Sequence, residues 1–273
     1  MRRFNFKLLL VPALASALLL SGCTSPDNGD GGGTAVQSQL DKVIKSGTVR
    51  VAVLPDYPPW SVQTADGSFE GYDIDIAQKL AEALGVELEL VSTDGTSRLP
   101  LLKSDRVDVN ISEWTATDER AKEVGFTIPY VAHGAGVLVN SADPLASYTD
   151  LAGKTVSVAR GSTNDSIMTK YFPDTKIERF ETIADAAAAL RAGKVDALVE
   201  GYSTVTQMAE EDPNYAIIDE PALFPSLVSM GALQEDQVWI NYLNNFIRNL
   251  NASGTNQELF QKWGHADLPD IVG

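Results

Sequence analysis

Cysteine is almost missing from this 273-residue chain, where Cys23 stands alone. A single thiol forms no internal disulfide and no Cys-type metal site. Histidine is nearly as scarce: His133 and His265 lie far apart and have no metal-ligand spacing. No Gly-x-Ser-x-Gly nucleophile motif occurs. No metal and no organic cofactor is therefore expected. Beyond Leu20 no apolar run reaches the roughly 18 residues that a membrane-spanning helix needs. Basic residues are few, 21 against 37 acidic. Such an acidic surface repels nucleic acid and anionic headgroups.

What the chain does have begins at its first residue. Arg2, Arg3 and Lys7 precede a 13-residue apolar run, Leu8 to Leu20, closed by Ser21-Gly22-Cys23. The run is short for a bilayer but suits the apolar region of a signal peptide. Small residues before a lone cysteine resemble a bacterial lipobox. By that resemblance residues 1–22 are removed and Cys23 is acylated, which anchors the protein outside the cytoplasm. The mature chain would keep 18 basic against 37 acidic residues, a formal charge of −19 over 251 residues. That length exceeds the usual single core and favours two lobes. Thr24 to Thr34 (TSPDNGDGGGT) contains nothing apolar enough to seed a core. It reads as part of a flexible tether, residues 23–39, whose random-coil reach is about 15–20 Å.

From Leu40 onward strand and helix patterns alternate. Val49, Val51 and Val53 alternate as a strand, and Pro55 to Pro59 breaks it. Asp73 and Asp75 suit a helix start; Ile76, Leu80 and Leu84 keep helical spacing, and Gly85 stops the helix. Val86, Leu88 and Leu90 alternate again, which completes a βαβ unit and implies a parallel sheet. Leu102 to Val109 aligns without gaps to Leu190 to Ala197, and both read as helix end, tight turn and buried strand. The echo favours two similar lobes with a sheet in each. Trp239, Leu243, Phe246 and Leu250 mark an amphipathic helix, and a shorter one, Gln257 to Trp263, ends at Gly264. If these pack back on the first lobe, the chain crosses between lobes twice and forms a hinge.

Gly71 to Leu84 (GYDIDIAQKLAEAL) resembles the signature of the family 3 extracellular solute-binding proteins. So do Asp56 to Trp60 (DYPPW), Thr115 to Arg120 (TATDER), Phe126 to Tyr130 (FTIPY), Leu151 to Val156 and Arg160 to Thr163. The resemblance covers residues 40–264. It implies an α/β, two-lobed periplasmic-binding-protein-like fold, each lobe a mostly parallel sheet flanked by helices, joined by a two-strand hinge. Lobe 1 would be 40–131 plus 229–273, and lobe 2 would be 132–228. A polar amino acid or related small zwitterion would lie in the cleft and pass to an ABC permease. A monomer is expected.

Carried over residue by residue, Arg120 grips the ligand's α-carboxylate; the planar guanidinium fork suits that group, as Lys does not. A surface pair with Asp118 or Glu119 is its other reading. Thr115 adds a hydroxyl, and Gly161, Ser162, Thr163 and Asn164 form an anion loop on the other lobe. Tyr57 and Trp60 stand where the family places an aromatic wall, although Trp60 reads equally well as core. Trp114 lines the pocket or packs beneath it. Arg98 either meets a side-chain carboxylate, as in relatives that bind acidic amino acids, or caps the following helix. Two departures bear on the ligand. Gly201 stands where the family commonly has the Asp that pairs with the α-ammonium, and strand alternation turns the adjacent Glu200 away. Glu113 occupies a position usually small or neutral. A buried carboxylate needs a partner, so Glu113 is expected to take over the ammonium. The competing readings are an enzyme on the same fold, resembling cyclohexadienyl dehydratase, with Glu113 or Glu200 as general acid, and a ligand-sensing module.

Overall fold

The computed structural model describes residues 37–263. Residues 1–22, Cys23, most of the tether, Gly264 and His265 lie outside them. Ser38 and Gln39, which composition places in the tether, are buried instead. The Ser38 hydroxyl accepts the Asp41 amide at 3.2 Å and caps helix α1 (Gln39–Ser46).

The first lobe starts with β1 (Thr48–Val53), the short β2 (Asp56–Tyr57), β3 (Ser61–Gln63) and β4 (Phe69–Glu70), then α2 (Tyr72–Leu84). Helix α2 ends where Gly85 adopts a left-handed φ of 69°, as glycine does at low cost. β5 (Glu87–Ser92), α3 (Arg98–Lys103) and β6 (Val109–Asn110) follow. β1 pairs in parallel with β5 and β6. The 17-residue β7 (Val124–Asn140) then leads into the second lobe, built from β8 (Thr155–Ala159), α4 (Thr163–Tyr171), β9 (Lys176–Phe180), α5 (Ile183–Arg191), β10 (Ala197–Gly201), α6 (Tyr202–Glu211) and β11 (Tyr215–Ile217). Here β8 pairs in parallel with β9 and β10. β12 (Leu223–Leu233) returns antiparallel to β7, and α7 (Gln237–Ala252) and α8 (Thr255–Lys262) complete the chain's described part.

The sequence echo corresponds to a repeated junction. Asp105 and Gly193 take the same left-handed position after α3 and α5, with φ of 54° and 64°. Three residues on, the Asp108 carboxylate accepts the Arg50 amide at 2.6 Å, and the Asp196 carboxylate accepts the Thr155 amide at 2.7 Å. Each locks the start of its lobe's first strand.

The lobes do not carry separate sheets, as the echo leads one to expect. Nine of the described strands form one hydrogen-bonded series, β5-β1-β6-β12-β7-β10-β8-β9 with β11 on β7, while β2, β3 and β4 form a small sheet of their own. The reason is the hinge itself. β7 is long enough to pair with β10 in one lobe while its first half pairs with β12, which in turn reaches β6. Three register shifts interrupt the β7–β12 pairing, as bulges do where a ladder must bend. Trp239, Leu243, Phe246 and Leu250 are all buried on the inner face of α7.

Candidate functional site

The parallel strands of both lobes point their carboxyl ends at one cavity of about 70 Å³, the usual place for a ligand in α/β sheets. Leu54 to Tyr57 follow β1, Thr93 to Gly95 and Arg98 follow β5, and Glu113 and Thr115 follow β6. From the other lobe come Ser162, Thr163 and Asn164 after β8, Glu181 to Ile183 after β9, and Glu200 at the end of β10. The lobes touch across it: the Ala184 amide donates to Asp56 at 3.0 Å.

Arg120 makes the main bridge. Nη1 donates to the Thr115 carbonyl (2.9 Å) and the Thr163 hydroxyl (3.2 Å), and Nη2 donates to the Gly161 carbonyl (3.0 Å). It does not pair with Glu119, which takes Lys122 at 2.5 Å. Burial and the neighbouring Arg98 lower its pKa to about 10, so it stays charged at neutral pH. Arg98 does not cap α3: Asp94 holds that turn by accepting the amides of Thr96 (2.7 Å) and Ser97 (2.9 Å). The Arg98 guanidinium instead lies over the Trp114 ring, 5.7 Å from its centroid. Its Nε is buried without a hydrogen-bond partner among the described residues, and burial lowers the pKa of Arg98.

Neither candidate tryptophan, Trp60 or Trp114, lines the cavity. Trp114 packs edge-on against Phe126 beneath Arg98 and stays outside the cavity. Trp60 is fully buried in the lobe 1 core against Tyr72 and Phe260, so only Tyr57 of the expected aromatic wall lines the cavity. The Pro58-Pro59 turn carries Trp60 past the cleft. Trp60→Ala is expected to cost about 3–5 kcal/mol of unfolding free energy, read by urea denaturation. On the anion loop, Gly161 does not line the cavity and offers its carbonyl to Arg120. The Ser162 hydroxyl is committed to the Asp165 amide at 3.1 Å, as the cap of α4.

Glu200 lines the cavity, contrary to strict alternation. Strand β10 ends at Gly201, which is already the N-cap of α6, so the backbone turns there. Its Oε2 accepts from Asn164 Nδ2 and the Gly201 amide, both at 3.1 Å. Its Oε1 is buried with no hydrogen-bond partner among the described residues, and the Tyr57 hydroxyl lies close enough to Glu200 to act on its charge. Burial, reinforced by the charge of Glu113, raises its pKa to about 7. Glu113 has a backbone φ of 50°, unusual for a residue other than glycine, and its carboxylate lies against His133 Nε2. His133 was not among the residues the sequence singled out. Only the register of β7 brings it to Glu113, and an isolated histidine gives no signal of that.

Gly201 is glycine for a reason of space. A Cβ there would lie 2.7 Å from the Tyr57 hydroxyl oxygen and 3.0 Å from His133 Cε1. Both atoms are side-chain ends that must shift before a carboxylate could stand there. Gly201→Asp is therefore expected to lower the melting temperature and to weaken ligand binding, seen by thermal unfolding and calorimetry.

The model of the bacterial extracellular solute-binding proteins, family 3, matches residues 49–266. The chain belongs to this family. A glutamine-binding protein of Geobacillus stearothermophilus is 36% identical over 225 residues, covering 78% of this chain and 86% of that protein. A mutant of ArgBP from T. maritima has a similar structure, with a TM-score of 0.78, 32% identity and coverage of 83% and 99%. Cyclohexadienyl dehydratase of Pseudomonas aeruginosa is 26% identical over 268 residues, 97% of each chain.

Proposed function

We propose that this chain is a receptor for a polar amino acid whose side chain carries a hydrogen-bond acceptor. The observation behind this reading is two cleft guanidiniums, Arg98 and Arg120, neither of which meets a carboxylate among the described residues. Arg120 would take the α-carboxylate, with Thr115 and Thr163 beside it. The buried Oε1 of Glu200 would accept from the α-ammonium, in place of the carboxylate absent at 201. Glu113, to which the sequence assigns that contact, already holds His133. Arg98 would meet the side chain, so a carboxylate or amide is favoured and a cationic side chain repelled.

Ligand held by both lobes would favour the closed arrangement, with motion at the β7–β12 crossing between the two lobes. The lipobox-like segment would anchor the receptor through Cys23 outside the cytoplasm. The closed form would hand its ligand to an ABC permease. The dehydratase-like alternative uses the same buried glutamate as an acid, so binding and turnover must be measured together.

A thermal-shift screen of the common L-amino acids tests the reading. Ligand at about 100 times its dissociation constant adds roughly 2.7 kcal/mol. Acidic or amide amino acids should raise the melting temperature by about 5–10 °C, and arginine and lysine by much less. Ligand should be recovered unchanged. No shift with any amino acid, or conversion of prephenate or arogenate, would refute the receptor.

A further inference from the structure

The Glu113–His133 pair lies at the cavity, and its outer face is chemically incomplete. Glu113 approaches Nε2 of the imidazole, which leaves Nδ1 turned toward Gly201. A Cβ at 201 would lie 3.1 Å from it. Nδ1 is buried without a hydrogen-bond partner among the described residues, and so is Oε1 of Glu200. Both residues line the cavity. Of the two neutral tautomers, a carboxylate at Nε2 favours the one with its proton on Nε2. Nδ1 is then a bare acceptor, as Glu200 Oε1 is.

We propose that His133, oriented by Glu113, accepts a hydrogen bond from the ligand's ammonium at Nδ1, and that with Glu200 it replaces the carboxylate missing at position 201. This deepens the amino-acid-receptor reading and rests on it. Glu113 is a positioning residue in this arrangement: it sets the tautomer and does not touch the ligand. A proton on Nδ1 and the ammonium compete for one lone pair, so binding expels that proton and acid weakens it. The groups facing His133 are Glu113 after β6, Glu200 at the end of β10, Tyr57 of β2 and Asp73 of α2, with the Trp60 ring 5.3 Å away. Arg98 of α3 acts on it through Glu113. Burial lowers the pKa of His133, but the carboxylate charges outweigh it and leave the value above 6.5.

The test uses the purified full chain and, as probe, whichever common L-amino acid raises the melting temperature most. The chain holds two histidines, so nitrogen-15 NMR of labelled imidazoles, assigned with His133→Asn, reads the tautomer directly. The ligand-bound state should show His133 neutral, protonated on Nε2 alone. His133→Asn keeps an acceptor near Nδ1 but does not titrate. It should bind within about tenfold of wild type at pH 8. By calorimetry in buffers of different ionisation heat, it should release about one proton fewer per ligand near pH 6.5. His133→Phe, with no acceptor, should bind far more weakly than His133→Asn. A bound imidazolium, a proton on Nδ1, or unchanged proton release in His133→Asn would overturn the inference and leave the receptor standing. If no amino acid binds, the receptor reading fails and this inference with it.

Discussion

Arg120→Ala should abolish useful ligand binding while leaving a folded protein. Truncating one partner of a buried, hydrogen-bonded charge pair costs about 2–5 kcal/mol, which is a loss of roughly 30- to several-thousand-fold in affinity. Arg120→Lys should do nearly as badly, because one ammonium cannot reproduce the fork that now spans Thr115, Thr163 and Gly161. The fold should tolerate both changes, since Arg120 donates to two carbonyls and a hydroxyl and makes no direct ion pair among the described residues. Calorimetry with the best ligand, beside urea unfolding of the unliganded protein, separates the two effects.

The unliganded protein should become less stable as pH rises from about 5 to 8, and Glu200→Gln should remove much of that loss. Burial lifts Glu200 from 4.5 to about 7 and Asp73 from 3.8 to about 7. Asp73 is fully buried and accepts the Tyr130 hydroxyl at 2.7 Å. A carboxyl whose folded pKa is raised binds more protons folded than unfolded, so stability falls as pH climbs from the unfolded to the folded value. For Glu200 that window is 4.5 to about 7, and the full effect is on the order of 3 kcal/mol. His133 has the same sign: its raised pKa stabilises below 6.5, and that contribution is lost as pH passes the folded value. Urea unfolding at pH 5 and pH 8 should show Glu200→Gln as the more stable protein at pH 8, with little difference near pH 4.5. The same substitution should weaken ligand binding, because Gln keeps the shape of Glu200 without its charge. Gained stability with lost affinity is the expected mark of a binding carboxylate.

Much of this is legible in the sequence because it is local. The run from Gly71 to Gly85 encodes α2 by its spacing, its acidic first turn and its terminal glycine. The echo of Leu102 to Val109 in Leu190 to Ala197 encodes a turn whose left-handed residue and capping aspartate recur in both lobes. Arg120 is legible as a residue type fitted to a carboxylate, and it does reach both lobes.

What is not legible depends on long-range placement. Alternation misplaces Glu200 because it assumes the strand continues, whereas β10 gives way to α6 at Gly201. Trp60 reads as wall or core with equal ease, and only packing against Tyr72 and Phe260 settles it. His133 becomes informative only when β7 brings it to Glu113. The sequence hint to that pair was Glu113 itself, an acidic residue in a place usually small, now seen in a backbone conformation that favours glycine. One continuous sheet in place of two is likewise a property of the length and pairing of β7 and β12.

The most direct test of the central claim is a crystal structure of the protein with the amino acid that stabilises it most. A closed cleft is expected, with the α-carboxylate on Arg120, Thr115 and Thr163 and the ammonium within hydrogen-bond reach of Glu200. A ligand bound outside the cleft, or one whose ammonium contacts neither Glu200 nor His133, would contradict it.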